Sequence, residues 1–312
     1  MSRVGGAGQP GEPSSGGLPS RCSSAARDRG DPLPGSAAPA RRWLLVEEPG
    51  SWEERTLHTG PLRGPLGTAL AAAALEARAR ILLIRRPERV GPQTARSWAV
   101  VDPDQGIRWG RWRSPADLFQ ARTALLADVH ARGEQGSLFL VCTHARRDVC
   151  CAVRGRPVVD ALAERWPSQT WHCSHLGGDR FAANVLVLPD GSTYGHMEPD
   201  RVVEAMESHL RGVVDADRLR GVSTQPPATQ AAVVAALRRW RPAGLADVTP
   251  LSTAAIGPDA WTVELAGGGR LPQRLTATVT RRAGPQVPLT CRSGPSRAYT
   301  YAVQWAPGTP SP

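Results

Sequence analysis

The chain carries the stretch Ser137-Leu-Phe-Leu-Val-Cys-Thr-His-Ala-Arg-Arg-Asp-Val-Cys-Cys151, which is followed by Trp171-His-Cys-Ser-His-Leu-Gly-Gly-Asp-Arg-Phe181. Each stretch places cysteine and histidine just after a short apolar run that is typical of a buried strand. Four of the six cysteines and three of the seven histidines lie in these two stretches. Thiolate and imidazole groups that converge from separate loops are the ligands of zinc and iron–sulfur sites. The two stretches therefore predict a metal or redox centre.

The two stretches lie in the second of two segments with the same predicted order of elements. The first segment predicts a strand at 43–47, a helix at 66–80, a strand at 81–84, a hairpin at 97–112 and a helix to about 130. The second predicts a strand at 137–141, a helix at 156–165, a strand at 169–172, a hairpin at 183–196 and a helix to about 210. This order is typical of a thioredoxin-like layer of sheet and helix. We predict an α/β fold, either two tandem thioredoxin-like units or a single mixed α/β domain whose elements are alike by chance.

Composition suggests where the domains end. Residues 1–40 are rich in Gly, Pro, Ser and Ala, with too few large apolar groups to offset chain entropy, so we expect a disordered tail. Residues 41–133 are then a degenerate thioredoxin-like unit without ligands, and residues 134–221 are the unit that carries them. After a linker with two prolines, residues 228–306 predict a small α+β C-terminal appendage.

The formal charge of +10 is typical of nucleic-acid-binding proteins, but its distribution argues against that function. All 38 basic residues are arginine, which indicates a bias of the genome, and they are spread along the chain. The absence of lysine excludes Schiff-base chemistry. We therefore predict no nucleic-acid partner.

No apolar run approaches the length of about 20 residues that a membrane span needs, and the N-terminus lacks the apolar stretch of a signal peptide. We expect a soluble protein of the cytoplasm, without a membrane partner. In that compartment thiols stay reduced, and clustered cysteines are more often ligands than crosslinks.

The motifs together resemble the sucrase/ferredoxin-like family of thioredoxin-fold ferredoxins. The resemblance covers roughly residues 21–220 and rests on Arg21-Cys-Ser23, Trp43-Leu-Leu-Val-Glu47, Cys142-x-His-x-x-Arg-Asp-x-x-Cys151 and His175-x-Gly-Gly-x-Arg-Phe181. It implies a 2Fe-2S cluster, with two thiolates on one iron and nitrogen ligands from a His-x-Gly-Gly-His segment on the other. It implies no sugar chemistry.

The resemblance assigns the thiolate positions to Cys142 and Cys151, which have eight residues between them, and the first imidazole position to His175. Asp179 stands where the family has its second histidine. Either the carboxylate ligates iron, a neighbour such as Cys173 or His196 replaces it, or the site is degenerate. Gly177 and Gly178 allow the backbone to approach a cluster and to donate N–H groups to its sulfides.

An aspartate ligand has an electrostatic consequence. Two ferric ions, two sulfides, two thiolates and two neutral imidazoles sum to zero, whereas an aspartate leaves the cluster negative. The reduction potential is then expected to fall from the Rieske-like range toward the all-cysteine value of about −400 mV. Arg146, Arg147 and Arg180 either raise that potential or form a solvated surface fork with Asp148.

The remaining cysteines and histidines have structural interpretations. We expect Cys150 and Cys173 to face the core, Cys22 and Cys291 to be core or free thiols, and His196 to be a partly buried structural residue. His144 is expected to hydrogen-bond within its loop or to act as a donor to the metal ligands, and not to bind the metal itself.

We predict an electron-transfer protein that carries a 2Fe-2S cluster, exchanges electrons with a reductase or acceptor protein, and does no bond-making chemistry of its own. The alternative cofactor is zinc, held by Cys142, Cys151, Cys173 and His175, although two of these cysteines are far apart for a zinc knuckle. A cluster-free scaffold that binds a partner protein is the other alternative.

Overall fold

A nine-stranded mixed sheet forms the body of the computed structural model, which describes residues 21–88, 95–127 and 133–310. Its strands are β1 (Arg42–Glu47), β2 (Ala79–Arg85), β3 (Arg96–Asp102), β4 (Gly106–Trp112), β5 (Leu138–Cys142), β6 (Thr170–Cys173), β7 (Val185–Leu188), β8 (Ser192–Tyr194) and β9 (Leu219–Val222). The helices that pack on this sheet are α1 (Cys22–Arg29), α2 (Pro65–Glu76), α3 (Leu118–Leu126), α4 (Val149–Arg165), α5 (Pro199–Leu210) and α6 (Pro227–Arg239).

The two halves of the sheet have the same strand order. In the first half the order is β4-β3-β1-β2, and in the second it is β6-β5-β7-β8, so each half places its second strand beside its first and its hairpin on the other side. In both halves the first two strands are parallel and the hairpin strands are antiparallel. This is the thioredoxin-like order, and the predicted fold class is confirmed. We call the two halves the first unit (42–126) and the second unit (138–210).

The units join edge to edge through β2 and β6. These strands run antiparallel and overlap over only two residue pairs, Ile84 with Cys173 and Arg85 with His172. Both pairs lie at or near the C-terminal end of each strand. The loops that follow the first strand of each unit therefore meet at the middle of the sheet.

The N-terminal segment differs from the prediction. Residues 21–40 are ordered: Cys22 begins α1, and Ala26, Leu33 and Ala37 are buried. The expectation of disorder up to residue 40 is wrong for this segment, because its few apolar side chains pack on the second unit and offset the chain entropy. Residues 1–20 lie outside the described part of the chain.

Helix α4 begins earlier than the predicted residue 156. Asp148 caps the helix by accepting a hydrogen bond from the backbone N–H of Cys150 at 2.8 Å, so Cys150 and Cys151 lie in the first helical turn. The sequence predicts a loop at Cys150 and Cys151, because a single helical turn is too short to show the periodicity of a helix. In the first unit, α2 ends at Glu76 instead of residue 80, and the end predicted near residue 130 lies outside the described residues.

A second sheet follows α6 and is an antiparallel meander. Its strands are β10 (Val248–Gly257), β11 (Ala260–Gly267), β12 (Arg274–Val287) and β13 (Ser296–Trp305). Most side chains of α6 are buried, because it contacts β9 on one side and the second sheet on the other. One hydrophobic cluster therefore runs from α4 and α5 through α6 to Val263 and Val279. The predicted α+β appendage shares its core with the second unit, and the domain boundaries themselves stay a prediction.

Membrane crossing would need a long apolar helix. Within the described ranges, no helix has both the length and the hydrophobicity to span a bilayer.

Candidate metal centre

Three of the predicted ligands meet at the end of β5. Cys142 is the last residue of β5, Cys151 is the third residue of α4, and His175 follows β6. Their ligand atoms all lie within 4.8 Å of one another. Both thiols are buried, and the imidazole side chain is 24% exposed. The arrangement presents two sulfurs and one nitrogen to a common point, with the nitrogen on the solvent side.

Asp179 lies beside this group, in a short 3-10 helix (Asp179–Phe181). Its Oδ1 lies 3.2 Å from Cys151 Sγ and 3.0 Å from His175 Nδ1, and the residue is buried. Asp179 is thus close to two of the three grouped residues but is not one of the group. We use the term centre for Cys142, Cys151, His175 and Asp179.

The protons of the metal-free centre are shared unequally. The hydrogen bond from Cys151, against the effect of burial, holds the pKa of the Cys142 thiol well below its usual value. The same hydrogen bond, together with burial, raises the pKa of Cys151. Burial lowers the pKa of His175, but Asp179 and Cys142 outweigh burial and raise it to about 9. Because the two thiol pKa values move in opposite directions, Cys142 is the thiol that loses its proton first, and metal binding has to displace the protons that remain.

The His175 nitrogen tests whether these residues fit a metal. Nδ1 is buried and has no hydrogen bond of acceptable geometry, although Asp179 Oδ1 is only 3.0 Å away. A buried polar atom without a hydrogen bond is costly, and a metal ion beside Nδ1 would supply the missing partner. Sulfur and nitrogen donors of this kind suit zinc and iron–sulfur clusters, so the residues present fit such a group.

The position of Cys151 at the start of α4 opposes the rise in its pKa that Cys142 and burial cause. The unpaired N–H groups and the dipole of a helix N-terminus stabilise negative charge in the first turn. Asp148, which caps this helix, is fully buried and is not the partner of a surface arginine fork, so that interpretation is wrong. Arg146 instead contacts Glu53 at 2.6 Å, Arg147 lies 3.7 Å from Glu54, and Arg180 lies 3.2 Å from Asp31.

The Gly177-Gly178 turn has the backbone conformation that favours glycine, with φ values of 87° and 74°. A Cβ atom on Gly178 would lie 2.5 Å from the guanidinium of Arg220. Any larger residue at position 178 would therefore displace that guanidinium as well as strain the turn.

Two arginines that the sequence analysis did not single out, the buried Arg220 and the half-buried Arg80, hold this turn. Arg220 donates to the carbonyl of Gly177 at 2.8 Å, and Arg80 donates to the carbonyls of His175 and Leu176 at 2.9 and 3.1 Å. Burial, with the neighbouring Arg180 and Arg80, lowers the pKa of Arg220 to about 9. No local motif marks them, since Arg80 comes from the first unit and Arg220 from β9. Their positive charge lies where a negative cluster would be stabilised.

The other predicted neighbours lie beside the centre without joining it. Cys173 pairs with Cys142 in the sheet and is buried in the core, and His196 packs edge-on against Phe181. His144 Nε2 lies 2.8 Å from the carbonyl oxygen of Glu53, and its ring packs edge-on against Trp52. His144 thus links the ligand-bearing loop to the first unit, not to another part of its own loop.

The chain is similar to a known protein family and to two curated proteins. The model of a family described as sucrase/ferredoxin-like matches residues 33–221, which includes both units and all four residues of the centre. Two curated relatives are both named altered inheritance of mitochondria protein 32. The one from Candida glabrata is 29% identical over 96 residues, and the one from Meyerozyma guilliermondii is 32% identical over 95 residues. The matches cover 26% and 27% of this chain and 31% and 34% of the relatives, so the chain spans about a third of their length.

Two solved structures are similar over a smaller part of the chain. One is the thioredoxin-like 2Fe-2S ferredoxin from Aquifex aeolicus, with 23% identity, 25% of this chain and 83% of that chain covered, and a TM-score of 0.22. The other is a variant of the same protein, with 24% identity, 27% and 96% covered, and a TM-score of 0.24. The likeness is confined to about a quarter of the chain.

Proposed function

Since this chain belongs to the sucrase/ferredoxin-like family, we propose that the centre binds a 2Fe-2S cluster and that the protein transfers electrons. The observation that carries the proposal is the convergence of two buried thiols and an imidazole within 4.8 Å, at the junction of a strand end and a helix N-terminus. A bound cluster would accept and release single electrons. The residues of the chain hold it, shield it and set its potential.

Each ligand has a distinct part in this proposal. Cys142 and Cys151 would hold one iron as thiolates, and the helix N-terminus together with Arg80 and Arg220 would offset their negative charge. His175 and Asp179 would hold the other iron. His175 is the most exposed of the four, so its side of the centre would face a reductase or acceptor protein. That partner and the cytoplasmic location stay predictions.

Structural zinc is a second candidate, favoured by one observation. The ligand atoms of Cys142, Cys151 and His175 all lie within 4.8 Å of one another, which suits three ligands of a single tetrahedral ion. Neither Asp179 nor Cys173, which the predicted zinc site included, belongs to this set of three.

Metal and sulfide analysis of protein purified without oxygen tests the proposal. We expect about two irons and two acid-labile sulfides per chain, with visible absorption that bleaches on reduction. The matched control is the double variant Cys142→Ser/Cys151→Ser, which should lose the iron and the absorption together. Zinc that this double variant loses would assign the centre to a structural ion. Absence of both metals from the wild-type centre would favour a scaffold that binds a partner protein.

A further inference from the structure

A second group of thiols lies outside the centre. Cys22 begins α1, Cys150 is the second residue of α4, and Cys291 lies in the hairpin between β12 and β13. With Asp148, their ligand atoms all lie within 4.8 Å of one another. These residues come from three segments of the chain, and Cys22 and Cys291 lie outside the range that the family model matches.

The distances within this group are those of ligands to one metal ion. Cys150 Sγ lies 3.6 Å from Cys22 Sγ and 3.4 Å from Cys291 Sγ, and Cys22 Sγ lies 3.7 Å from Asp148 Oδ2. A tetrahedral ion with Zn–S bonds of about 2.3 Å holds its sulfurs about 3.8 Å apart. A disulfide would need about 2.05 Å, and it would use only two of the three thiols.

We propose that Cys22, Cys150, Cys291 and Asp148 form a closed tetrahedral zinc site, separate from the centre. Three thiolates and one carboxylate are ligands that zinc accepts in structural sites. On binding, the thiols give up their protons to solvent and the ion takes the four ligands without an open position.

Adjacent cysteines on α4 serve different sites because successive helical residues point in different directions. Cys150 packs with Cys22 and Ala182, whereas Cys151 packs with Cys142 in the core on the other side. Each thiol therefore has its own set of partners, and neither has to be shared between two metals.

Backbone amides orient the ligands of this second site. The N–H of Cys291 donates to Asp148 Oδ2 at 2.6 Å, and the N–H of Cys150 donates to Asp148 Oδ1 at 2.8 Å. The N–H of Cys22 lies 3.4 Å from Cys291 Sγ, in position to donate to the sulfur. Such hydrogen bonds outside the ligand shell are a regular feature of protein metal sites.

Asp148 would be the fourth ligand of the ion. It is fully buried, caps α4 and accepts hydrogen bonds from two backbone N–H groups. With three thiolates and one carboxylate, a bound zinc ion would leave a net charge of −2, which these N–H groups and the N-terminus of α4 would stabilise.

The site would join parts of the chain that are far apart in sequence. The ligands Cys22 and Cys150 are 128 residues apart, and Cys150 and Cys291 are 141 residues apart. Zinc would fix α1 and the β12–β13 hairpin to the start of α4. Helix α1 also contacts the second unit through Arg27, which donates to the carbonyl of Ala182 at 3.1 Å.

Zinc content tests the site in the double variant Cys142→Ser/Cys151→Ser, which lacks the centre, so that its zinc reports on the second site alone. Cys291→Ser, Cys22→Ser and Arg292→Ala are each added to this double variant. We expect about one zinc per chain in the double variant and after addition of Arg292→Ala, and near zero after addition of Cys291→Ser or Cys22→Ser. Cys291 is exposed in a hairpin loop, so its serine variant should fold, which circular dichroism checks. Arg292→Ala is the matched control in the same loop.

Three results would overturn the second site. They are a double variant without zinc, zinc content unchanged by Cys291→Ser, and a disulfide among the three thiols in protein purified without oxygen. A second readout is independent of metal analysis: removal of zinc from the double variant by a chelator should make the loop at residues 288–295 sensitive to protease. Protection of that loop with and without zinc would count against the site. Iron at the centre is measured separately, so failure of the proposed function leaves this result intact.

Discussion

The first and second units share one strand order and differ in what stands at the end of their first strand. Glu47 ends β1 and Cys142 ends β5, and both strands occupy the same position in their unit. The loop that follows β1 in the first unit is therefore equivalent to the loop that follows β5 in the second. The two loops differ in their side chains, and only the loop after β5 has the residues of a candidate metal centre. Function depends on such local residues and not on the fold alone.

In the first unit, the carboxylates at the end of β1 are hydrogen-bonded to donors of the same unit. Glu47 Oε2 accepts a hydrogen bond from the N–H of Ser97 at 2.7 Å, and Glu48 accepts from Gly50 at 2.9 Å and from Arg96 at 3.2 Å. These buried acids are satisfied by the protein itself. In the second unit the buried His175 Nδ1 lies 3.0 Å from Asp179 Oδ1 but makes no hydrogen bond of acceptable geometry within the described part of the chain.

The first unit nevertheless supports the second. It supplies Arg80, which holds the loop carbonyls of His175 and Leu176, and the carbonyl of Glu53, which lies 2.8 Å from His144 Nε2. Because the C-terminal ends of β2 and β6 meet, the loops of one unit pack against those of the other. The first unit, which has no ligands of its own, thus packs against the loops of the centre and holds them in position.

The largest expected effect is loss of the centre in Cys142→Ser or Cys151→Ser. Each change removes a thiolate from the point where the ligands converge, so metal content at the centre should fall to near zero. Cys173→Ala is the matched control, since Cys173 is buried beside Cys142 but is not among the grouped ligands. Retention of metal in the serine variants and loss in Cys173→Ala would show that the thiolates are assigned wrongly.

Asp179→His should have the next largest effect. It restores the second imidazole of the family pattern and removes a negative charge, so the reduction potential should rise by on the order of 100 mV or more. Asp179→Asn keeps the size of the side chain without its charge and should bind metal less well. The measurements are metal content and a potentiometric titration. Equal values in all three proteins would mean that Asp179 is not a ligand.

Glu48→Ala should separate the stability of the first unit from the chemistry of the second. The change leaves the Gly50 N–H and Arg96 without their acceptor, and we expect a loss of about 1–3 kcal/mol in the free energy of unfolding. Metal content should not change. Denaturant unfolding and metal analysis of the same preparation check both, and a loss of metal in this variant would mean that the first unit takes a direct part in the centre.

Acid should weaken the fold through histidines of the second unit. Burial, and then Arg27 and other arginines, lower the pKa of His196 to about 3; burial, and then Arg85 and Arg156, lower that of His172 to about 4. Both pKa values lie below the value of about 6.5 in an unfolded chain. At a pH between the folded and the unfolded pKa, the unfolded chain therefore binds more protons than the folded protein. Stability should therefore be complete above about pH 6.5 and fall as the pH drops toward 4, by on the order of 1 kcal/mol per histidine at pH 5.

His196→Asn tests the acid effect with little backbone strain. The φ angle of His196 is 55°, a conformation that asparagine tolerates better than most residues. The difference in unfolding free energy between pH 7.5 and pH 5 should be smaller in this variant than in wild type. An equal difference would show that His196 is not a source of the acid sensitivity.

Short-range signals in the sequence predicted the repeated element order, and the resemblance to the family suggested the residues of the centre. Apolar runs such as Leu138–Val141 indicate strands wherever they occur, and a cysteine that follows such a run must lie at a strand end. The start of α4 was predicted too late, because the cap at Asp148 acts through one side-chain hydrogen bond that leaves no periodic pattern. The order in residues 21–40 was missed because it depends on contacts with a distant part of the chain.

The sequence by itself determined what each segment would form and which side chains bear the chemistry, because both depend on residues close together in the chain. Only the tertiary structure decided which of these residues meet. It brought Cys22 and Cys291 to Cys150, and Arg80 and Arg220 to the turn of the centre. Such contacts join residues far apart in sequence, and their geometry is set by the packing of the whole chain.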